Sequence, residues 1–212
     1  MFAIGHFALG YLTSKTSSAF LKTKLNLPLL FLVSVIPDID LILQFVEPTL
    51  FMHRGPTHSI IVQTVIIIPF FVIYRKKALP YYLALLSHSL LGDFFTGGFE
   101  MFWPLSSNWF GDLSFGVMSL TNVAIETILF AITLPIMFKT KDLNQLLKPN
   151  NRNLILLVPF GAVLGPMLQI GQTYEISLPS LMIIHSVFYI CLFGYSLLVE
   201  LNSKINKLPP KI

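Results

Sequence analysis

The sequence predicts an all-α, polytopic transmembrane bundle of about six spans, preceded by a short or re-entrant N-terminal helix. Three observations predict it. Of the 212 residues, 54% are hydrophobic and only 11% charged, against about 25% charged in an ordinary soluble domain. The mean hydropathy is +0.74. Apolar runs near the ~20 residues that cross ~30 Å of hydrocarbon recur along the chain, separated by short basic stretches.

The expected spans are 27–46, 57–74, 78–96, 117–138, 154–172 and 180–201. Residues 1–20 are less apolar, which makes them the short or re-entrant element. In the first span, PDID at 37–40 places Pro37 where it removes a backbone donor and disfavours helix at Ile36. A helix over 27–36, an irregular turn carrying both acids and a helical piece after Leu41 follow. The second span opens at HRGPTHS, 53–59. Arg54–Thr57 reads as a turn, with Thr57 as N-cap and a neutral His58 in the first helical turn. The third carries His88 and Asp93. After it, residues 97–116 hold Trp103 and Trp109, either interfacial anchors or the rim of a pocket. The fourth holds Glu126, which needs a partner. Pro159, Gly161, Gly165 and Pro166 kink the fifth. The sixth holds Cys191, the single cysteine, and His185, read as a structural hydrogen-bonding group. One integral membrane domain over 1–212 is expected, with a metal-site half at about 1–116 and supporting helices at about 117–201.

Charge predicts the orientation. Alternating spans put 13 of the 14 Lys and Arg residues on one side, leaving Arg54 alone on the other. Basic residues favour the cytoplasm, so a multi-pass protein with a cytoplasmic C-terminus and HRGPTHS toward the extracytoplasmic side is expected. The same reading explains the net charge of +4 without nucleic acid as a partner. MFAIGHFALGYLTSK has neither a basic n-region nor a small-residue cleavage site, so no cleaved signal peptide is expected.

On that map Asp38, Asp40, His53, His58, His88 and Asp93 share one depth, and His6 joins them if the first residues run inward. Ionisable groups are costly in hydrocarbon, so a functional reading is the default. The carboxylates either surround a cation or pair with Arg54 and protonated histidine. For a cation, carboxylates with imidazoles suit Zn²⁺ first, then Mn²⁺ or Fe²⁺, over Ca²⁺; Mg²⁺ stays open with the histidines in outer roles.

GHFALG, VIPDIDL, HRGPTHS, LLSHSLLGDFFTGG and WPLS, in that order over about the first 106 residues, resemble the membrane-bound metal-dependent hydrolases. That family of small inner-membrane proteins is also described as LexA-binding hydrolases. The resemblance implies a multi-span protein with a divalent-metal hydrolase site. By position, Asp38, Asp40, His53, His58, His88 and Asp93 match the family's polar motif residues, and His6 its early histidine. The LexA interaction is written in no motif here, so protein partners stay open. One departure is notable: the family pattern separates its histidine and aspartate by four residues, whereas His88 and Asp93 are five apart. In a regular helix that spacing sets them about 140° apart, unless Gly92 marks a bulge or helix end.

The expected chemistry is phosphoester hydrolysis. Asp38, Asp40, His58 and His88, with Asp93 and His6, would hold one or two ions that activate water. His53 would move a proton to the leaving group, and Arg54 would clamp phosphate or pair with an aspartate. A site at the membrane's outer half suits a membrane lipid or lipid-linked phosphate as substrate. The absence of HExxH disfavours peptides. The alternative function is an ion- or proton-coupled transporter using the same intramembrane groups.

Overall fold

Helix α1, Ala3–Leu21, stands at the centre of the bundle rather than at its edge. The computed structural model describes residues 1–112, 115–168 and 180–206. Among them are six further helices of nine residues or more, all but α3 packed on α1: α2 Leu27–Val35, α3 Ile60–Tyr74, α4 Leu79–Ser87, α5 Leu120–Lys139, α6 Leu157–Met167 and α7 Ser180–Ile205. Small residues on α1 permit close approach. A Cβ on Gly10 would come within 2.9 Å of the Ser34 Cβ on α2, and the Ser14 hydroxyl donates to the Pro80 carbonyl at the start of α4, 2.7 Å away. Phe7 and Tyr11 are fully buried. The Phe7 ring meets Phe31, Tyr189 and Phe193 at centroid separations of 5.1–5.5 Å, bringing α1, α2 and α7 into one core.

The all-α class holds, but the count of about six spans does not. Among the described residues, only α5 and α7 are long and apolar enough to cross a membrane. The reason is local. The first expected span stops as a helix at Val35 and passes through a 3₁₀ turn, Ile36–Ile39, into a single α turn, Asp40–Leu43. Nine helical residues of α2 cover about 14 Å, half the hydrocarbon thickness. The third breaks at Ser87 into a π turn, His88–Gly92, and a 3₁₀ turn, Asp93–Thr96. The second keeps 15 regular residues. Hydropathy windows see the apolar run and miss these breaks. The N-terminal element is likewise corrected: 19 residues of regular helix, buried along the face that carries His6. With the alternation gone, the orientation drawn from six spans loses its premise. The outward segment expected at 173–179 lies outside the described residues, as do Lys207 and Lys211.

Residues 97–112 fold back over the HRGPTHS segment. Phe99 and Phe110 exchange backbone hydrogen bonds, both 3.0 Å. Glu100 N–H donates to the Arg54 carbonyl at 2.9 Å and Ile60 N–H to the Met101 carbonyl at 3.1 Å. The Ser59 hydroxyl donates to the Trp103 carbonyl at 2.7 Å and accepts from Ile61 N–H, so Ser59, not Thr57, caps α3.

Candidate metal centre

Each backbone break delivers a side chain to one place. The 3₁₀ turn brings Asp38, the turn Pro56–His58 brings His58, and the π turn brings His88 and, just past its end, Asp93. A π turn bonds i to i+5, so it sets residues five apart on one face. His88 Nε2 and Asp93 Oδ2 are 3.2 Å apart. The five-residue spacing, unsuited to an α-helix, is the register a π turn requires.

Four donor atoms face one another: His58 Nε2, His88 Nε2, Asp38 Oδ1 and Asp93 Oδ2. Five of their separations are 3.1 Å for His58–His88, 3.1 Å for His58–Asp93, 3.2 Å for His88–Asp93, and 3.4 Å from Asp38 to each histidine. In a regular tetrahedron with such edges the centre lies about 2 Å from each corner, the distance of Zn–N and Zn–O bonds.

The backs of the imidazoles are committed. His88 Nδ1 donates to the Ser34 carbonyl, 2.8 Å away, which can only accept. His58 Nδ1 faces Asp40 Oδ2 at 3.1 Å. Both neutral rings therefore carry their proton on Nδ1 and present Nε2 lone pairs to each other across 3.1 Å. Two lone pairs at that range repel unless a proton or a cation stands between them. Asp93 Oδ2 is also buried without a hydrogen-bond donor. The donor set fits a divalent cation.

Asp40 is fully buried behind His58 rather than among the four atoms. Its Oδ2 accepts from Arg54 N–H at 3.0 Å and from the Thr57 hydroxyl at 2.9 Å, while its Oδ1 meets His53 Nδ1 at 3.0 Å. Asp38 and Asp40 thus address opposite nitrogens of the same ring. Asp40, His53 and His58 form a second candidate group around Asp40. His53 is partly open to solvent.

Arg54 holds a left-handed backbone conformation, φ 67°, strained for a residue with a side chain. The Asp40 carboxylate and Glu100 N–H grip its backbone from both sides. Its guanidinium is bound to Asp93 Oδ1 at 3.1 Å and to the Thr96 carbonyl at 2.8 Å, so its acidic partner is Asp93, not Asp38 or Asp40. His6 stacks on His88, ring centroids 3.6 Å apart, and its Nε2 stands 3.8 Å from Asp93 Oδ1, outside the four-atom cluster. Gly92 makes room for it, since a Cβ there would lie 2.7 Å from His6 Nδ1.

The electrostatics follow. Burial disfavours the His88 imidazolium, but the Asp38 and Asp93 carboxylates outweigh it and raise the group to about 9. His58 is likewise raised: burial opposes protonation and hydrogen bonds to Asp38, Asp40 and Asp93 win. That corrects the neutral His58 expected from a helix N-terminus, because the residue lies before α3. Burial would raise Asp40, yet hydrogen bonds from His53 and His58 hold it at about 2. Without an ion, protons occupy the place a cation would take.

Sequence reading passed over Thr96, Gln63 and Ser34. Gln63 Nε2 donates to the Ser89 hydroxyl at 2.8 Å, tying α3 to the π turn. Uncharged polar residues in apolar runs carry little signal. Their closeness to the histidines and aspartates is spatial, and the sequence does not display it.

A family model described as YdjM inner membrane protein matches residues 1–196. No curated protein and no solved structure matches the chain.

Proposed function

The chain belongs to the YdjM inner membrane protein family, and from that premise we propose that it is a zinc-dependent hydrolase that cleaves a phosphoester of a membrane lipid or lipid-linked substrate. The observation that carries the reading is the pair of Nε2 atoms, 3.1 Å apart, closed by carboxylate oxygens of Asp38 and Asp93. These four residues would hold the ion. A divalent ion supplies Lewis acidity there, activating water and polarising a phosphoryl oxygen. Asp40 fixes the His58 ring from behind, the carboxylate–histidine arrangement that orients metal ligands. Arg54 positions Asp93 by holding its other oxygen. His53 would hand a proton from Nε2 to the leaving-group oxygen; its partial exposure and the anchoring of Nδ1 on Asp40 support that role.

The proposal sets the site at the extracytoplasmic face, with the C-terminus in the cytoplasm. Supporting it, Lys139, Lys141, Lys148 and Arg152 lie at or beyond the C-terminal end of α5, and Lys204 lies in the last turn of α7. The opposite end of α5 adjoins α1 near His6, where Glu126 Oε1 accepts Phe2 N–H at 2.9 Å.

Elemental analysis of detergent-purified protein tests the reading. About one zinc per chain is expected, lost in Asp38→Asn and His88→Ala with helicity kept, together with phosphate release from the phosphomonoester lipid phosphatidic acid. Metal-free protein that catalyses proton-linked uptake in vesicles would overturn it.

A further inference from the structure

A cavity of about 330 Å³ lies between α1, the stretch Leu91–Thr96 and α5. Leu91, Phe95, Phe115, Ile125 and Leu129 make its walls apolar. Leu91, Phe95 and Ile125 are 42–45% exposed, so the cavity reaches the surface along α5, a helix of membrane-crossing length. It connects to the cluster through Thr96 and Arg54. Thr96 lines the cavity and accepts from Arg54 Nη2 at 3.3 Å, and the same nitrogen holds Asp93. Leu91 and Phe95 flank Asp93 two positions away on either side.

One wall residue is polar and incompletely satisfied. Asn122 Nδ2 donates to the Val117 carbonyl at 2.7 Å and to Glu126 Oε1 at 2.8 Å. Its Oδ1 is a buried acceptor with no donor. Buried acceptors in folded proteins are nearly always matched. Apart from Asn122, Thr96 and Thr121 the lining is apolar, which suits a hydrocarbon chain.

We propose that this cavity receives one hydrocarbon chain of the amphiphile whose phosphoester is cleaved at the cluster. The inference rests on the hydrolase reading and narrows its substrate to long-chain amphiphiles. The chain lies along Leu91 and Phe95 toward α5, and the phosphate stays beside Arg54 and Asp93. Seating the chain fixes the scissile bond at the cluster and excludes short water-soluble esters from tight binding.

Photo-crosslinking in nanodiscs tests the site independently of turnover. The probe is a diacyl phospholipid with a diazirine at the end of one acyl chain, and adducts are mapped by mass spectrometry. Adducts are expected within 91–95 and 121–129. Ile125→Trp and Leu129→Trp, which fill the cavity from two positions, should each reduce them about tenfold, equivalent to ~1.4 kcal/mol, with zinc content equal to the parent's. Adducts confined to the outward faces of α3 and α7 and indifferent to both substitutions would overturn the chain site. The two readings fail separately: loss of adduct specificity with zinc and phosphate release intact removes the cavity's role alone. Specific adducts on a protein that neither binds zinc nor releases phosphate remove the hydrolase reading, and with it the cavity's role as a substrate site.

Discussion

Asp40 shows how much one buried carboxylate organises. It receives the Arg54 amide, the Thr57 hydroxyl, His53 and His58, so its loss frees the ring that presents Nε2. Asp40→Asn is expected to weaken zinc binding about 10–100-fold, read by competition with a chromophoric chelator; unchanged affinity would leave Asp40 no orienting role. Gly92→Ala drives a methyl into His6. It should cost ~1–3 kcal/mol, measured by thermal unfolding in detergent, and His6→Ala in the same chain should restore most of it. At this scale the sequence was informative about charge. Asp38, His58, His88 and Asp93 stood out because ionisable groups are costly among apolar neighbours. Which nitrogen each carboxylate addresses was not legible, since it depends on ring orientation.

The elements that build the site are the irregular ones. Pro37 signalled the break that bears Asp38 and Asp40, because proline's missing donor acts within its own turn. The π turn was half legible: a five-residue spacing beside a glycine conflicts with an α-helix, but only packing against α1 and α3 selects i to i+5 bonding. Inserting one alanine between Leu90 and Leu91 would rotate Asp93 by roughly 100° from His88. Zinc stoichiometry should fall to near zero while far-ultraviolet circular dichroism keeps its helical amplitude. Retained zinc would mean that Asp93 contributes nothing to the site.

For the whole molecule, composition conveyed membrane association and an all-α class, while the number of crossings escaped it. A run of apolar residues has the same hydropathy whether its backbone continues as a helix or turns aside at Val35 or Ser87. Exposed Val65, Ile66, Phe70, Val72 and Ile73 on α3 show that a helix short of full crossing length still presents an apolar face. Ion binding should couple to the stability of the whole fold, adding ~2.7 kcal/mol at a free zinc concentration about 100 times Kd. The coupling depends on pH. His88 is raised from 6.5 to about 9 without an ion, so its proton stabilises the ion-free fold fully below pH 6.5. That contribution is lost as pH rises through about 9. Zinc needs the same nitrogen bare; the zinc-induced rise in Tm should therefore widen between pH 6.5 and 9. A constant shift across that window would contradict the assignment of His88.

The central place of α1 bears on how the protein is made. Its neighbours α2, α4, α5, α6 and α7 all follow it in the chain. α1 thus leaves the ribosome before every helix that packs on it, and it carries a buried imidazole until they arrive. The core around Phe7 therefore closes only once α7, the last helix among the described residues, has been made.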